Sequence, residues 1–201
     1  MHNIPPKEDS MAKRILLGGI LGGLALFMWG GLSHMVIGLG SVGMQNIQKP
    51  VYDSMKATIS QGGLYFFPES DMKGNMKDEY KNGPVGILAF RPTGAGAPIT
   101  KELINETILN IVQALLAAYL LSFACARLVR YPQRVGFVFV LGILSALATN
   151  IEYWNWYGFS SSYTMAAIVD KLVGFMVVGL VVAAFVKSTN AAVQVIPAKA
   201  A

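Results

Sequence analysis

An apolar run from position 163 to position 186 is long enough to cross a lipid bilayer, for which about 20 residues are needed. Asp170 and Lys171 lie next to each other inside this run. Charged side chains at membrane depth carry a large free-energy cost and need partners. A fold for this chain must therefore place the run in a membrane and also supply polar groups beside the two charges.

The composition of the whole chain is that of an integral membrane protein. Of its 201 residues, 54% are hydrophobic and only 13% are charged, which is unlike a globular domain with one anchor. We predict transmembrane helices over residues 15–38, 100–128, 135–157 and 163–186, with polar tails at 1–14 and 187–201. The first apolar run exceeds the length of a signal-peptide core and is interpreted as an uncleaved anchor, with Met11 as a second possible start.

The segment 39–99 is mixed in character and is predicted to form a small α+β insertion. Val51, Met55 and Ile59 are spaced four residues apart after Pro50, which indicates a short amphipathic helix. Residues 64–68 and 85–90 have the composition of two strands and are bounded by Gly and Pro. A charged loop separates these strands, and GAGAP at 94–98 is typical of a flexible hinge. The fold class is thus an all-α membrane protein of four helices, with this extracytoplasmic insertion between the first and second.

Basic residues predict the orientation of the helices. Arg127, Arg130 and Arg134 lie in one short turn, whereas the turn at 158–162 has neither Lys nor Arg. The positive-inside rule therefore places both termini in the cytoplasm and the insertion outside it.

Polar residues recur at a similar depth in all four predicted helices, beneath the insertion. At about 1.5 Å per residue, Asp170 lies roughly 10 Å below the outer end of its helix. The candidate cluster consists of His34, Asn110, Gln113, Asn150, Glu152, Asp170 and Lys171.

Two interpretations of this cluster stay open. In the structural one, which we favour, Lys171 pairs with Glu152 or Asp170, and the amides hydrogen-bond between helices. Adjacent helical residues point about 100° apart, so Asp170 and Lys171 are not expected to face one point. In the functional one, the ionisable groups form a ligand, ion or proton site that is open to the outside.

Glycines in the first helix predict close helix packing. Gly18, Gly19, Gly22 and Gly23 form two overlapping small-xxx-small patterns, which let another backbone approach closely. We favour packing of this helix against the chain's own helices over self-association.

The single cysteine, Cys125, is expected to pack as a small apolar residue. With only one cysteine, an intrachain disulfide is excluded.

The sequence contains no catalytic constellation, and we predict neither enzymatic activity nor a cofactor. It has no nucleophile elbow, HExxH motif or phosphate-binding loop. His34 is the only histidine within the predicted spans, which excludes a bis-histidine haem in one chain. We interpret His34 as a hydrogen-bonded packing residue rather than a metal ligand. The ten methionines are interpreted as lipid-facing and core residues rather than copper ligands.

The net charge of +5 comes without a basic cluster, so no nucleic-acid partner is predicted.

The order of several motifs resembles that of a group of small bacterial four-helix inner-membrane proteins with no assigned activity. The shared features are Trp29-Gly30 with Ser33-His34-Met35, then Gly63-Leu64-Tyr65, then Gly83-Pro84 before a strand, and a long Leu/Ala helix. The resemblance implies the four-helix architecture and a location in the bacterial inner membrane, and implies no site residues.

Two functional hypotheses follow. The first is a non-enzymatic accessory or structural subunit of a larger bacterial inner-membrane complex, whose partners are membrane lipids and other membrane-protein subunits. The second is a small transporter or a binding protein for a lipid or quinone-like ligand, which uses the polar cluster in the outer leaflet.

Overall fold

The structure, a computed structural model, describes residues 10–68, 78–94 and 100–188. The predicted tails, the charged loop between the strands and the hinge at 94–98 fall wholly or partly outside these residues. The first tail was predicted to reach position 14, but α1 already begins at Met11. Ser10 caps this helix, because its Oγ accepts a hydrogen bond from the backbone N–H of Lys13 at 3.4 Å.

Four helical rods are long and apolar enough to cross a membrane: Met11–Ile37, Thr100–Ala124, Tyr131–Tyr157 and Ser161–Phe185. The first consists of α1 (Met11–Gly31) and a π-helical turn (Leu32–Ile37). The second is α4 (Thr100–Ala124), and the fourth is α7 (Ser161–Phe185). The third consists of α5 (Tyr131–Ala146), a π-helical turn (Leu147–Ile151) and α6 (Glu152–Tyr157). The chain is therefore a multi-pass membrane protein, as its composition predicted.

The insertion between the first two rods contains the predicted helix and strands. The helix α2 spans Lys49–Thr58, with proline in its first turn. Strands β1 (Gly63–Phe67) and β2 (Gly86–Phe90) pair antiparallel in a two-stranded sheet, with Tyr65 opposite Leu88. The short helix α3 (Asp78–Asn82) precedes β2.

Helix α1 lies between α4 and α7, and α7 lies between α1 and α5. Glycines of α1 allow its contacts with both α4 and α7 to be close. A Cβ atom on Gly18 would lie 3.1 Å from Phe185 Cβ, and one on Gly22 would lie 3.0 Å from Val182 Cγ2, both on α7. A Cβ atom on Gly19 would overlap Leu115, and one on Gly23 would overlap the backbone of Ile111, both on α4. The two glycine pairs thus face two different neighbours within the chain.

The apolar core fills the half of the bundle away from the insertion. It includes Ala114, Leu121, Val138, Val178 and Val182, each at most 1% exposed. Cys125 is also buried in this core, which confirms its predicted packing role.

The end of the bundle opposite the insertion is held by a buried arginine. Arg134 is only 7% exposed. Its Nε donates to the carbonyl of Ala183 at 3.2 Å, and its Nη1 donates to those of Leu128 and Val129 at 3.2 and 2.7 Å. The first carbonyl belongs to the last turn of α7 and the others follow α4, where helix ends leave carbonyls without intrahelical partners.

Candidate functional site

A pocket of about 180 Å³ lies between α1, α4 and α7. It is positioned by the packing order of the helices, because α1 contacts both α4 and α7 whereas those two barely touch each other. The lining comprises Leu26, Trp29, Gly30 and His34 from the first rod, Glu106, Asn110 and Gln113 from α4, and Asp170, Lys171 and Phe175 from α7. We call it the three-helix pocket.

Five of the seven predicted cluster residues line this pocket: His34, Asn110, Gln113, Asp170 and Lys171. The other two lie elsewhere. Glu152 is exposed at the start of α6, after the π-helical turn. Asn150 lies within that turn, and its Oδ1 is buried without a hydrogen-bond partner among the described residues.

Asp170 joins the first rod to α7 through two hydrogen bonds. Its backbone carbonyl accepts from Trp29 Nε1 at 3.0 Å. Its Oδ2 lies 3.2 Å from His34 Nε2, so that His34 donates when this nitrogen carries the proton. Both bonds join the first rod to the antiparallel α7, and together they fix the position of the Asp170 carboxylate beside the pocket.

Two glycines allow Trp29 and His34 of the first rod to take these positions. A Cβ atom on Gly174 would lie 2.8 Å from Leu26 Cδ1 and 3.3 Å from Trp29 Cδ1. A Cβ atom on Gly40 would overlap the imidazole of His34. His34 itself belongs to the π-helical turn, a geometry that is frequent at functional sites because it changes the direction of the side chains that follow.

The ion pairs expected for Lys171 are not formed. Within the described residues, its ammonium has no hydrogen bond or ion pair, with Glu152, Asp170 or any other residue. Asp170 and Lys171 nevertheless line the same pocket. Their Cβ atoms point about 100° apart, but the long side chain of a lysine allows its ammonium to lie far from the direction of its Cβ atom.

Several polar atoms in and near the pocket lack partners. Asp170 Oδ1 is buried and forms no hydrogen bond to the described residues. Gln113 Nε2 donates to Asn110 Oδ1 at 3.4 Å, and this is the one side-chain bond between the two amides. The carboxylate of Glu106 forms no ion pair with the described part of the chain. The pocket thus presents unpaired donors and acceptors of both charge signs.

Glu106 was missed in the sequence, although a signal for it exists. It lies four residues before Asn110 and seven before Gln113, and this spacing places all three on one face of a helix. Trp29 could not be found in this way, because its partner is a backbone carbonyl.

Comparison of the chain with protein-family models, with curated proteins and with solved structures finds no match.

Proposed function

We propose that the protein is a non-enzymatic accessory or structural subunit of a larger complex in the bacterial inner membrane. The supporting observation is that the described residues of the insertion form almost no interior of their own. None of the residues of α2 is buried, and all of β1 is exposed except Tyr65, which is half-buried. A two-stranded sheet is at best marginally stable by itself, so this segment gains stability from a surface outside the chain.

The described part of the insertion exposes nine large apolar side chains. Leu64 is 72% exposed and Met44 is 61% exposed. Further exposed apolar residues of the segment are Val42, Ile47, Val51, Tyr52, Phe66, Phe67 and Val85. Exposed apolar side chains in this number, outside a membrane-spanning region, favour a surface that binds another molecule.

We infer that the occupant of this surface is an extramembrane region of another protein subunit. Basic and acidic residues nearly balance between positions 39 and 99, whereas binding to anionic lipid surfaces uses clusters of basic residues. Each of the two strands also has an edge without a paired strand among the described residues, and such an edge accepts a strand from a partner.

We further propose that the insertion is periplasmic and that both termini are cytoplasmic. Because Arg134 belongs to α5 and is buried in the bundle, the positive-inside signal comes mainly from Arg127 and Arg130, which precede that helix. Lys13, Arg14 and Lys187 support it, since they lie at the same end of the bundle, where Arg14 Nη1 donates to the carbonyl of Lys187 at 3.0 Å.

Site-specific photo-crosslinking tests whether the insertion contacts protein or lipid. A photoreactive amino acid at Leu64 is expected to form a discrete adduct with another protein in native membranes. The matched position is Phe123, 69% exposed on α4, where we expect phospholipid adducts. If position 64 also yields only phospholipid adducts, the insertion lies on the membrane and the proposed partner surface does not exist.

A second candidate function is supported by the three-helix pocket. We propose, as the alternative, that the protein is a small transporter or a membrane protein that binds a lipid-like ligand. The observation in favour is the convergence of ionisable groups from three helices on one small cavity at membrane depth, where such groups often mark ligand or ion sites.

A further inference from the structure

We propose that the three-helix pocket binds a small zwitterion, in which an ammonium group is joined through a short linker to a phosphate or carboxylate. The ligand is either the headgroup of a phosphatidylethanolamine-type lipid or a free solute with the same chemistry. This inference rests on the second candidate function, the ligand-binding one, and names its ligand class.

Three side chains of the pocket carry charges that lack partners, wholly or in part, in the described chain. Lys171 contributes one ammonium, and Glu106 contributes one carboxylate on the facing helix. Asp170 contributes a second carboxylate, of which only Oδ2 has a partner, His34. The half-buried charges of Asp170 and Lys171 need counter-charges and hydrogen bonds. Glu106 adds an exposed carboxylate at the same pocket, so the charges that a ligand would meet have both signs.

Ligands of a single charge sign meet only part of this requirement. A simple cation would leave Lys171 unpaired and would be repelled by it. A simple anion would face the carboxylates of Glu106 and Asp170. A neutral ring with two carbonyl groups, such as a quinone, offers acceptors to Lys171 but no donor to the carboxylates. A zwitterion supplies an anionic oxygen to the ammonium and an ammonium to the carboxylates, which is the complementary pattern.

The pocket is of a suitable size and is partly preorganised. Its volume of about 180 Å³ suits a headgroup or small solute rather than a drug-sized molecule, whose pockets measure ~300–1,000 Å³. The Trp29 and His34 hydrogen bonds hold Asp170 in place before any ligand enters, so less ordering is required on binding. Leu26 and Phe175 add an apolar wall, against which the linker or glycerol region of a ligand packs.

Calorimetric titration of the detergent-purified full chain tests the proposal. The probes are dihexanoyl-phosphatidylethanolamine, dihexanoyl-phosphatidylglycerol, phosphoethanolamine and ethanolamine. At least one of the two zwitterions is expected to bind, and at least about tenfold more tightly than the anionic lipid or ethanolamine, since each of these loses one charged hydrogen bond. Binding of phosphoethanolamine indicates a soluble ligand, and binding of the zwitterionic lipid alone indicates a lipid.

Two variants and two controls complete the test. Lys171→Met and Glu106→Gln should each weaken zwitterion binding at least about tenfold, whereas Lys101→Met and Glu102→Gln, which lie outside the pocket on the first turn of α4, should leave it unchanged. Because Glu106 is exposed and unpaired in the described chain, Glu106→Gln does not depend on the folding of the lysine variant.

Three outcomes would overturn the inference: neither zwitterion binds, the anionic lipid binds equally well, or Glu106→Gln binds as the wild type does. None of them affects the accessory-subunit proposal, since the crosslink at position 64 reports on the insertion alone.

Discussion

Replacing Arg134 with Met is expected to abolish stable folding of the bundle. The substitution keeps much of the aliphatic stem but removes the donors to the carbonyls of Leu128, Val129 and Ala183. Hydrogen bonds to charged groups contribute about 1.5–3 kcal/mol each, and unsatisfied buried carbonyls add a desolvation cost. We therefore expect a loss of about 3 kcal/mol or more in the free energy of unfolding. Unfolding in mixed detergent micelles measures this change.

Arg127→Met is the matched control for the buried arginine. Arg127 lies in the turn just before α5, carries the same charge and is exposed, so its replacement removes the same charge without removing the three carbonyl contacts. We expect its free energy of unfolding to stay within about 0.5 kcal/mol of the wild type, as for most surface substitutions. Equal destabilisation by both variants would show that loop charge, rather than the carbonyl contacts, stabilises the protein.

Gly23→Ala is expected to destabilise the protein even though alanine favours helices. A methyl group at this position would overlap the backbone of Ile111, which cannot move as a side chain can. Overpacking costs about 1–3 kcal/mol and exceeds the helix-propensity gain of about 1 kcal/mol. Because close approach of α1 and α4 depends on this glycine, the variant should also loosen α4, which hydrogen exchange of its amides detects.

Gly31→Ala separates the two contributions on the same helix. A Cβ atom there would lie more than 4 Å from every other atom considered in the described part of the chain, so only the propensity gain applies. Its thermal midpoint should rise or stay unchanged while that of Gly23→Ala falls. A similar shift in both variants would contradict the close α1–α4 contact.

The elements of the fold followed from local patterns in the sequence. Apolar length located the four rods, and Gly and Pro bounded the strands, because both signals act over a few residues. The π-helical turns at Leu32–Ile37 and Leu147–Ile151 could not be predicted in this way. Their residues are ordinary helix and membrane residues, and the extra residue in each turn is accommodated by tertiary packing.

The candidate site was predicted in part. The sequence indicates how deep in the membrane a residue lies along its helix, but it indicates less well which neighbouring helix the side chain faces. The depth argument grouped His34 with Asp170, which the structure places 3.2 Å apart. It also included Glu152, which follows a π-helical turn that changes the phase of the helix. Arg134 was interpreted only as an orientation signal, because its carbonyl partners at two helix ends have no signature in the sequence.

The central claim is that this chain is a subunit held in a complex through its insertion. Extraction of native membranes in mild detergent, followed by native-gel separation and mass spectrometry, tests it most directly. The account predicts migration with other membrane proteins, loss of that migration in Leu64→Lys, and retention in Ser60→Lys, a control at another exposed position of the insertion. Migration of the wild type alone, at the size of a monomer or small homo-oligomer, would contradict the claim.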